Sequence, residues 1–345
     1  MVFCKFKLTH INLISLVIWA SIQVHAFDVS VLKQDNCELS DEKHKEMSSS
    51  PEFKLKIKNL KSACDLKNYT HFNSDELYFF SKWGQKICKE LMSLENQYSR
   101  QCKYGNLIAE NKLNIAEAMA VAGYTAEYYN YLTPDSINTP ATDAKKYKGF
   151  DIFNRVLISA VTKLNQYPEY QYNSVAYRGS SLHGKTYVES NVPFSFNRWL
   201  SSSCVEEKAF GPKLIDMSEE EKQQLIKDFG EETPIEEVEP FMFKRDPKAI
   251  SNKLSTCQQT YYSENPTPPL TAESHFGNGN LSITILPPLN GKSKRVAIYE
   301  LSDRREEAEV LFLPSIQFIV EKVIQPNDPS GDGIKTQVTL REVEK

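Results

Sequence analysis

The chain opens on an apolar stretch and then changes rhythm twice. Residues from Ile11 to Val24 are apolar apart from Asn12, Ser15, Ser21 and Gln23. From 27 to 104 the sequence turns polar and lysine-rich. Within it, Ser74-Asp75-Glu76 precedes Leu77, Phe79, Phe80 and Trp83, the pattern of a capped helix start. Leu107, Ile108, Leu113, Ile115, Ala116, Met119 and Ala120 recur largely at spacings of three and four, which predicts helix over 107–132. Two prolines among Thr, Ser and Asp between Pro134 and Ala144 predict a loop. Ile152, Phe153, Val156, Leu157, Ala160, Val161 and Leu164 then mark one face of a helix over Phe150–Leu164.

Near Tyr172 the helical period gives way to short β-type runs. They lie at 174–178, 282–286, 295–299, 309–313, 316–320 and 336–340, separated by turn residues. Helices followed by strands predict an α+β fold and not alternating α/β. An acidic, proline-ended insertion at about 213–272 interrupts the strands and reads as a solvated excursion.

Composition sets limits on this picture. The 345 residues are 40% apolar and 25% charged, ordinary for a globular protein, and allow one large domain or two modest ones. A net charge of −4 gives no basic footprint for nucleic acid, so none is expected as a partner. Lys5 and Lys7, the apolar stretch and Val24-His25-Ala26 together read as a secretory signal peptide over 1–26. The stretch is shorter than the ~20 apolar residues of a spanning helix. A polar terminus from Leu340 to Lys345 lacks a lipid-anchor tail, so no membrane anchor is expected. Of seven cysteines, Cys4 leaves with the leader. The remaining Cys37, Cys64, Cys88, Cys102, Cys204 and Cys257 are an even set, as in exported disulfide-bonded chains. Their pairing stays open, since six cysteines allow about 15 connectivities. None has the close spacing of a zinc site, and no metal is expected. The expected organisation is a leader over 1–26, a helical cysteine-containing segment over 27–104, and a main domain over 105–345.

Three short stretches carry candidate chemistry. Tyr177-Arg178-Gly179 ends a predicted strand, and a guanidinium there can fork onto phosphate oxygens. Ser201-Ser202-Ser203 follows an aromatic-rich run and offers hydroxyls to a polar ligand. Glu307-Ala308-Glu309 leads into an apolar strand. If both glutamates are extended, their side chains share one face. Paired carboxylates suit a reaction through a positively charged sugar transition state, one stabilising charge and the other taking a proton. Taken singly, each stretch also has a plainer reading: an edge arginine in a salt bridge, a serine loop, a charged turn.

Gly179 to Thr186 satisfies the phosphate-loop pattern G-x-x-x-x-G-K-[ST]. That loop requires a helix after it, whereas Tyr187-Val188-Glu189-Ser190-Asn191-Val192-Pro193 is poor helix material. A nucleotide-hydrolysing reading is set aside on that ground.

The ordered triple Arg178, then Ser201-Ser202-Ser203, then Glu307-Ala308-Glu309 resembles the arginine-type mono-ADP-ribosyltransferases, a family of vertebrate ecto-enzymes and related bacterial toxins. The resemblance covers about 105 to 343, with Gly291 and Ser302 falling where the family places a Gly and a Ser before its glutamates, and departs from the family in its long insertion. It implies a helical N-terminal portion packed on a mixed β-sandwich, with an NAD cleft between two small sheets. It implies NAD as co-substrate and an arginine-bearing protein as acceptor. Carried over residue by residue, Arg178 would hold the phosphates and ribose, and the Gly179 backbone would meet the nicotinamide amide. Ser201 would orient Glu309, and Phe210 would stack on nicotinamide. Glu309 would stabilise the cationic ribose, and Glu307 would position and deprotonate the acceptor. An NAD glycohydrolase and a non-catalytic secreted interaction module remain the alternatives.

Overall fold

The computed structural model describes residues 51–69, 71–93, 98–128, 149–180, 193–196, 199–206, 281–324 and 336–343, with Lys33, Cys37, Leu132, Ala209, Cys257 and Gln258 as isolated positions. The expected leader, the Pro134–Ala144 loop and nearly all of the acidic insertion lie outside these residues.

Helices come first: α1 (Pro51–Ala63), α2 (Ser74–Phe79), α3 (Gln85–Ser93), α4 (Tyr98–Ala109), α5 (Ile115–Gly123) and α6 (Phe150–Leu164). The expected start near Ser74 is capped one residue earlier. Asn73 accepts from the backbone of Asp75 and Glu76, while the Glu76 carboxylate accepts from the Asn73 backbone. The helix expected over 107–132 is divided. The backbone N–H groups of Lys112 and Leu113 both donate to the Leu107 carbonyl, Asn111 turns to a φ of 55°, and Asn114 caps α5 with Glu117. The apolar spacing runs on across the break because Leu113 is buried from the turn. Helix α4 crosses the boundary expected between 104 and 105, and helices from both sides share one core. Phe153 centres that core, with Phe79, Trp83 and Phe150 ring-packed around it.

The strands are β1 (Ala176–Ser180), β2 (Leu200–Ser203), β3 (Leu281–Leu286), β4 (Arg295–Ala297), β5 (Glu309–Phe312), β6 (Gln317–Ile324) and β7 (Thr336–Val343). They form one mixed sheet in the order β4-β5-β2-β1-β3-β7-β6, with β3 and β7 parallel and the other neighbours antiparallel. The serine triplet, open to a loop reading from sequence, is strand β2.

The sheet folds over on itself. Strand β2 pairs with β5 along its whole length, and β1 likewise with β3, yet β1 and β2 meet only at Tyr177↔Ser203. Strands β5 and β6 lie five places apart in the order, which would be roughly 24 Å in a flat sheet. Their Phe312 and Phe318 rings are nevertheless 5.8 Å apart. The halves β4-β5-β2 and β1-β3-β7-β6 therefore face each other as two layers hinged at β1/β2, the sandwich expected from sequence.

Alternation assigns the faces of the first half. Leu200, Val310 and Phe312 point into the core between the layers, with Ile283, Ile285, Val338 and Leu340. Trp199 and Leu311 point the other way, into the helical core. Disulfides Cys37–Cys102 and Cys64–Cys88 staple the helical layer, and Cys204–Cys257 ties the insertion to the end of β2. Among the described residues no helix is long and apolar enough to cross a membrane.

Phe153→Ala should lower unfolding free energy by about 4 kcal/mol, because the cavity it leaves is walled by fixed aromatic rings. Leu289→Ala, at a position 77% exposed, should change it by less than about 0.5 kcal/mol. Urea denaturation of both variants checks the assigned core.

Candidate active site

At the seam between the two half-sheets, β1, β2 and β5 bring Arg178, Ser201 and Glu309 together. Strand register does most of this. Ser203 lies opposite Glu309 and Ser201 opposite Leu311, so Ser201 and Glu309 occupy the same face of β2/β5 two rungs apart. The Ser201 hydroxyl donates to Glu309 Oε1 at 2.7 Å. A second hydroxyl, Ser302, donates to Glu309 Oε2 at 3.2 Å. From across the seam, Arg178 Nη1 donates to the Ser201 carbonyl. Gly179 lies next in β1, opposite Ser282 of β3.

Glu309 is buried, with 4% of its surface exposed. Burial pushes its carboxyl above the ordinary glutamate range, while the Ser201 and Ser302 hydrogen bonds and the Arg178 charge pull it back in part. Desolvation prevails.

Glu307 is held differently. It closes a short turn over Arg305–Glu307, and Ala308 follows in the left-handed region at φ 50°, ψ 51°. The same-face expectation for the two glutamates therefore fails, since it required extended backbone at both. Glu307 instead stands at the rim with its side chain 14% exposed, its Oε1 lying 3.4 Å from Arg304 Nη1. The turn is tied to the end of β2. Ser203 Oγ donates to the Glu307 carbonyl at 2.7 Å, and Cys204 N donates to the Ala308 carbonyl at 2.9 Å. A non-glycine residue in this region costs about 1–2 kcal/mol, so the turn persists because these ties over-determine it.

Phe210 lies outside the described residues, as does the stretch after β1 where a phosphate loop would need its helix. Gly179 and Ser180, the first two residues of that pattern, are paired within the sheet as strand residues and do not open a loop. Two contributors had no role assigned from sequence, although Ser203 lies in the serine triplet and Ser302 at a position matched in the resemblance. Ser203 shapes the turn, a role hidden inside a run of identical residues. Ser302 reaches Glu309 from seven positions upstream, in a bend with no period of its own. Among the described residues no group of His, Cys, Asp and Glu could hold a metal ion.

No family model and no curated protein matches the sequence. Among solved structures, the type III effector XopAI from Xanthomonas axonopodis pv. citri is 13% identical, with 88% of this chain and 96% of that chain covered and a TM-score of 0.39. Exoenzyme S from Pseudomonas aeruginosa, bound to Carba-NAD with human 14-3-3 protein beta, is 14% identical over 83% of this chain and 88% of that one, at a TM-score of 0.38. The ADP-ribosyltransferase HopU1 of Pseudomonas syringae pv. Tomato is 12% identical over 83% and 87%, at 0.37. Likeness at this level assigns no activity, and the functional reading rests on the site itself.

The displaced proton affinity of Glu309 has a stability consequence. The folded protein holds the Glu309 proton more tightly than the unfolded chain does. The ionised side chain therefore costs nothing while both states are protonated, below the ordinary value of 4.5, and its cost grows as pH rises above it. Glu309→Gln should raise the thermal midpoint at pH 7 and lose that advantage as pH falls below about 4.5. Scanning calorimetry across pH checks the sign.

Proposed function

We propose that this protein is a secreted mono-ADP-ribosyltransferase that moves ADP-ribose from NAD onto a protein side chain, with arginine as the acceptor. The observation that carries this reading is the convergence of Arg178, Ser201 and Glu309 from three strands on one seam, with Glu309 buried and fixed by hydroxyl donors.

That donor set suits NAD. A half-buried guanidinium is the natural partner for a pyrophosphate, and Arg178 takes that role. In this reading the backbone of Gly179 meets the nicotinamide amide and Phe210 stacks on the ring. Ser201 holds the Glu309 carboxylate, which accepts from a ribose hydroxyl and stabilises the positive charge that develops on the sugar. Preorganised charge in a site shielded from water is the strongest such device a protein has.

The bonds balance without a metal or a redox step. The glycosidic bond between ribose C1′ and the nicotinamide nitrogen breaks, and nicotinamide leaves with the bonding electrons. A guanidine nitrogen of the acceptor forms the new bond to C1′, and its proton passes to Glu307. Glu307 is suited to this by its place at the rim, where it already carries a guanidinium neighbour in Arg304. Export fits the three disulfides among the described residues, which persist in oxidising compartments.

The test is transfer of labelled ADP-ribose from NAD to agmatine or polyarginine, with nicotinamide release followed in parallel. Glu309→Ala should lower both by at least about 100-fold, since it removes the charge that opposes the developing cation. Glu307→Ala should abolish transfer and retain nicotinamide release. Release without transfer by the wild type would make the protein an NAD glycohydrolase. A folded, disulfide-intact protein with neither activity would be an interaction module.

A further inference from the structure

Helix α4 belongs to the N-terminal layer, and Arg100 lies outside the stretch that carries the family resemblance. Its side chain nevertheless reaches the approach to Glu309. Arg100 is 5% exposed and uses its whole fork. Nε donates to the Leu301 carbonyl at 2.9 Å, Nη1 to Asp303 Oδ1 at 2.6 Å, and Nη2 to Thr125 Oγ1 at 3.0 Å and the Ala122 carbonyl at 3.3 Å. One turn further along α4, the Tyr104 hydroxyl donates to the same Leu301 carbonyl at 3.0 Å. The residue between the two gripped positions is Ser302, 1% exposed, whose hydroxyl donates to Glu309.

We propose that Arg100 and Ser302 are positioning residues for Glu309: Arg100, fixed in the helical layer, clamps residues 301 and 303 so that the Ser302 hydroxyl is aimed at Oε2. The inference rests on Glu309 being the group that stabilises the cationic ribose. It assigns the N-terminal layer a part in the site beyond covering a sheet face. A buried arginine that binds two carbonyls, a hydroxyl and a carboxylate leaves its target few alternative positions. Lysine cannot reproduce that grip, because it offers a point charge and no planar fork.

The groups facing Glu309 bear on its titration. They are Arg178 from β1 and Tyr104 from α4, with the Arg100–Asp303 pair flanking Ser302 and Arg305 and Glu307 in the turn that precedes Glu309 in sequence. The tyrosine is itself pushed up to about 12, chiefly by burial, and stays neutral throughout the working range. Loss of the Ser302 donor removes one of the two hydroxyl bonds that favour the carboxylate, and the proton affinity of Glu309 should rise.

The experiment compares wild type, Ser302→Ala, Arg100→Lys and the double variant as full, disulfide-bonded chains. Nicotinamide release is measured against pH, and the 13C resonance of the Glu309 carboxyl is titrated in glutamate-labelled protein, assigned with Glu309→Gln. Ser302→Ala should lower kcat about tenfold, the worth of a lost hydrogen bond to a charged group, with KM for NAD little changed. It should move the acid limb of kcat and the Glu309 titration to higher pH. Arg100→Lys should move both the same way, and the double variant should match Ser302→Ala alone, because one residue acts through the other. Additive effects in the double variant would overturn the proposal. So would an unmoved Glu309 titration in Ser302→Ala, a readout that stands even if Arg100→Lys fails to fold. A wild type that releases no nicotinamide would overturn the transferase reading on which this rests, while the carboxyl titration still decides whether Ser302 sets the state of Glu309.

Discussion

A buried carboxylate governs this structure. Removing an ionised side chain from water costs several kcal/mol even after relaxation, and Glu309 is enclosed at the head of β5. Its two oxygens each receive a serine hydroxyl, and Arg178 contributes charge from across the seam. These three supports come from three separate elements, β2, the bend before the Glu307 turn, and β1. The strand ladder is therefore part of the chemistry. A slip of one residue between β2 and β5 would carry Ser201 to the opposite face and leave the carboxylate with one donor.

The same alternation explains why the helical layer and the site are one object. In β5, Val310 and Phe312 pack between the two half-sheets, while Leu311 packs on the helices. Glu309 shares the parity of Leu311, and Ser201 that of Trp199, so both lie on the face the helices cover. The helices exclude water from one side of Glu309, and α4 closes over its approach through Arg100 and Tyr104. Desolvation of the carboxylate is thus a product of the helix packing around Phe153 as well as of the sheet.

What could be read from the residues divides along physical lines. Long periodic segments were legible: α6 runs over the predicted residues, and six of the seven strands fall within a residue or two of a predicted start. Strand β2 was not, because serine is not among the β-branched and aromatic residues that mark strands and this triplet is held by its pairing with β5. The break between α4 and α5 was hidden because its turn buries Leu113 in register with both helices. Among the site residues, the order of Arg178, Ser201 and Glu309 was visible, and the structure brings them together. The contribution of Ser302 depends on contacts some two hundred residues away on α4, which no local pattern records.

The end of β2 accounts for the shape of the glutamate turn. Two adjacent positions hold it through three ties: Ser203 binds the Glu307 carbonyl, the Cys204 backbone binds the Ala308 carbonyl, and the Cys204 side chain is locked to Cys257. Ala308 holds a left-handed backbone that a free chain would avoid. Release of any one tie leaves that conformation less supported, and relaxation of Ala308 toward extended backbone would swing Glu307 from the rim toward the face that Glu309 occupies. Two carboxylates on one buried face would repel, and burial already disfavours the first. The strained residue is therefore what keeps the two glutamates in different environments, one enclosed and one partly exposed, and Ser203 and Cys204 at the end of β2 are what keep the strained residue in place.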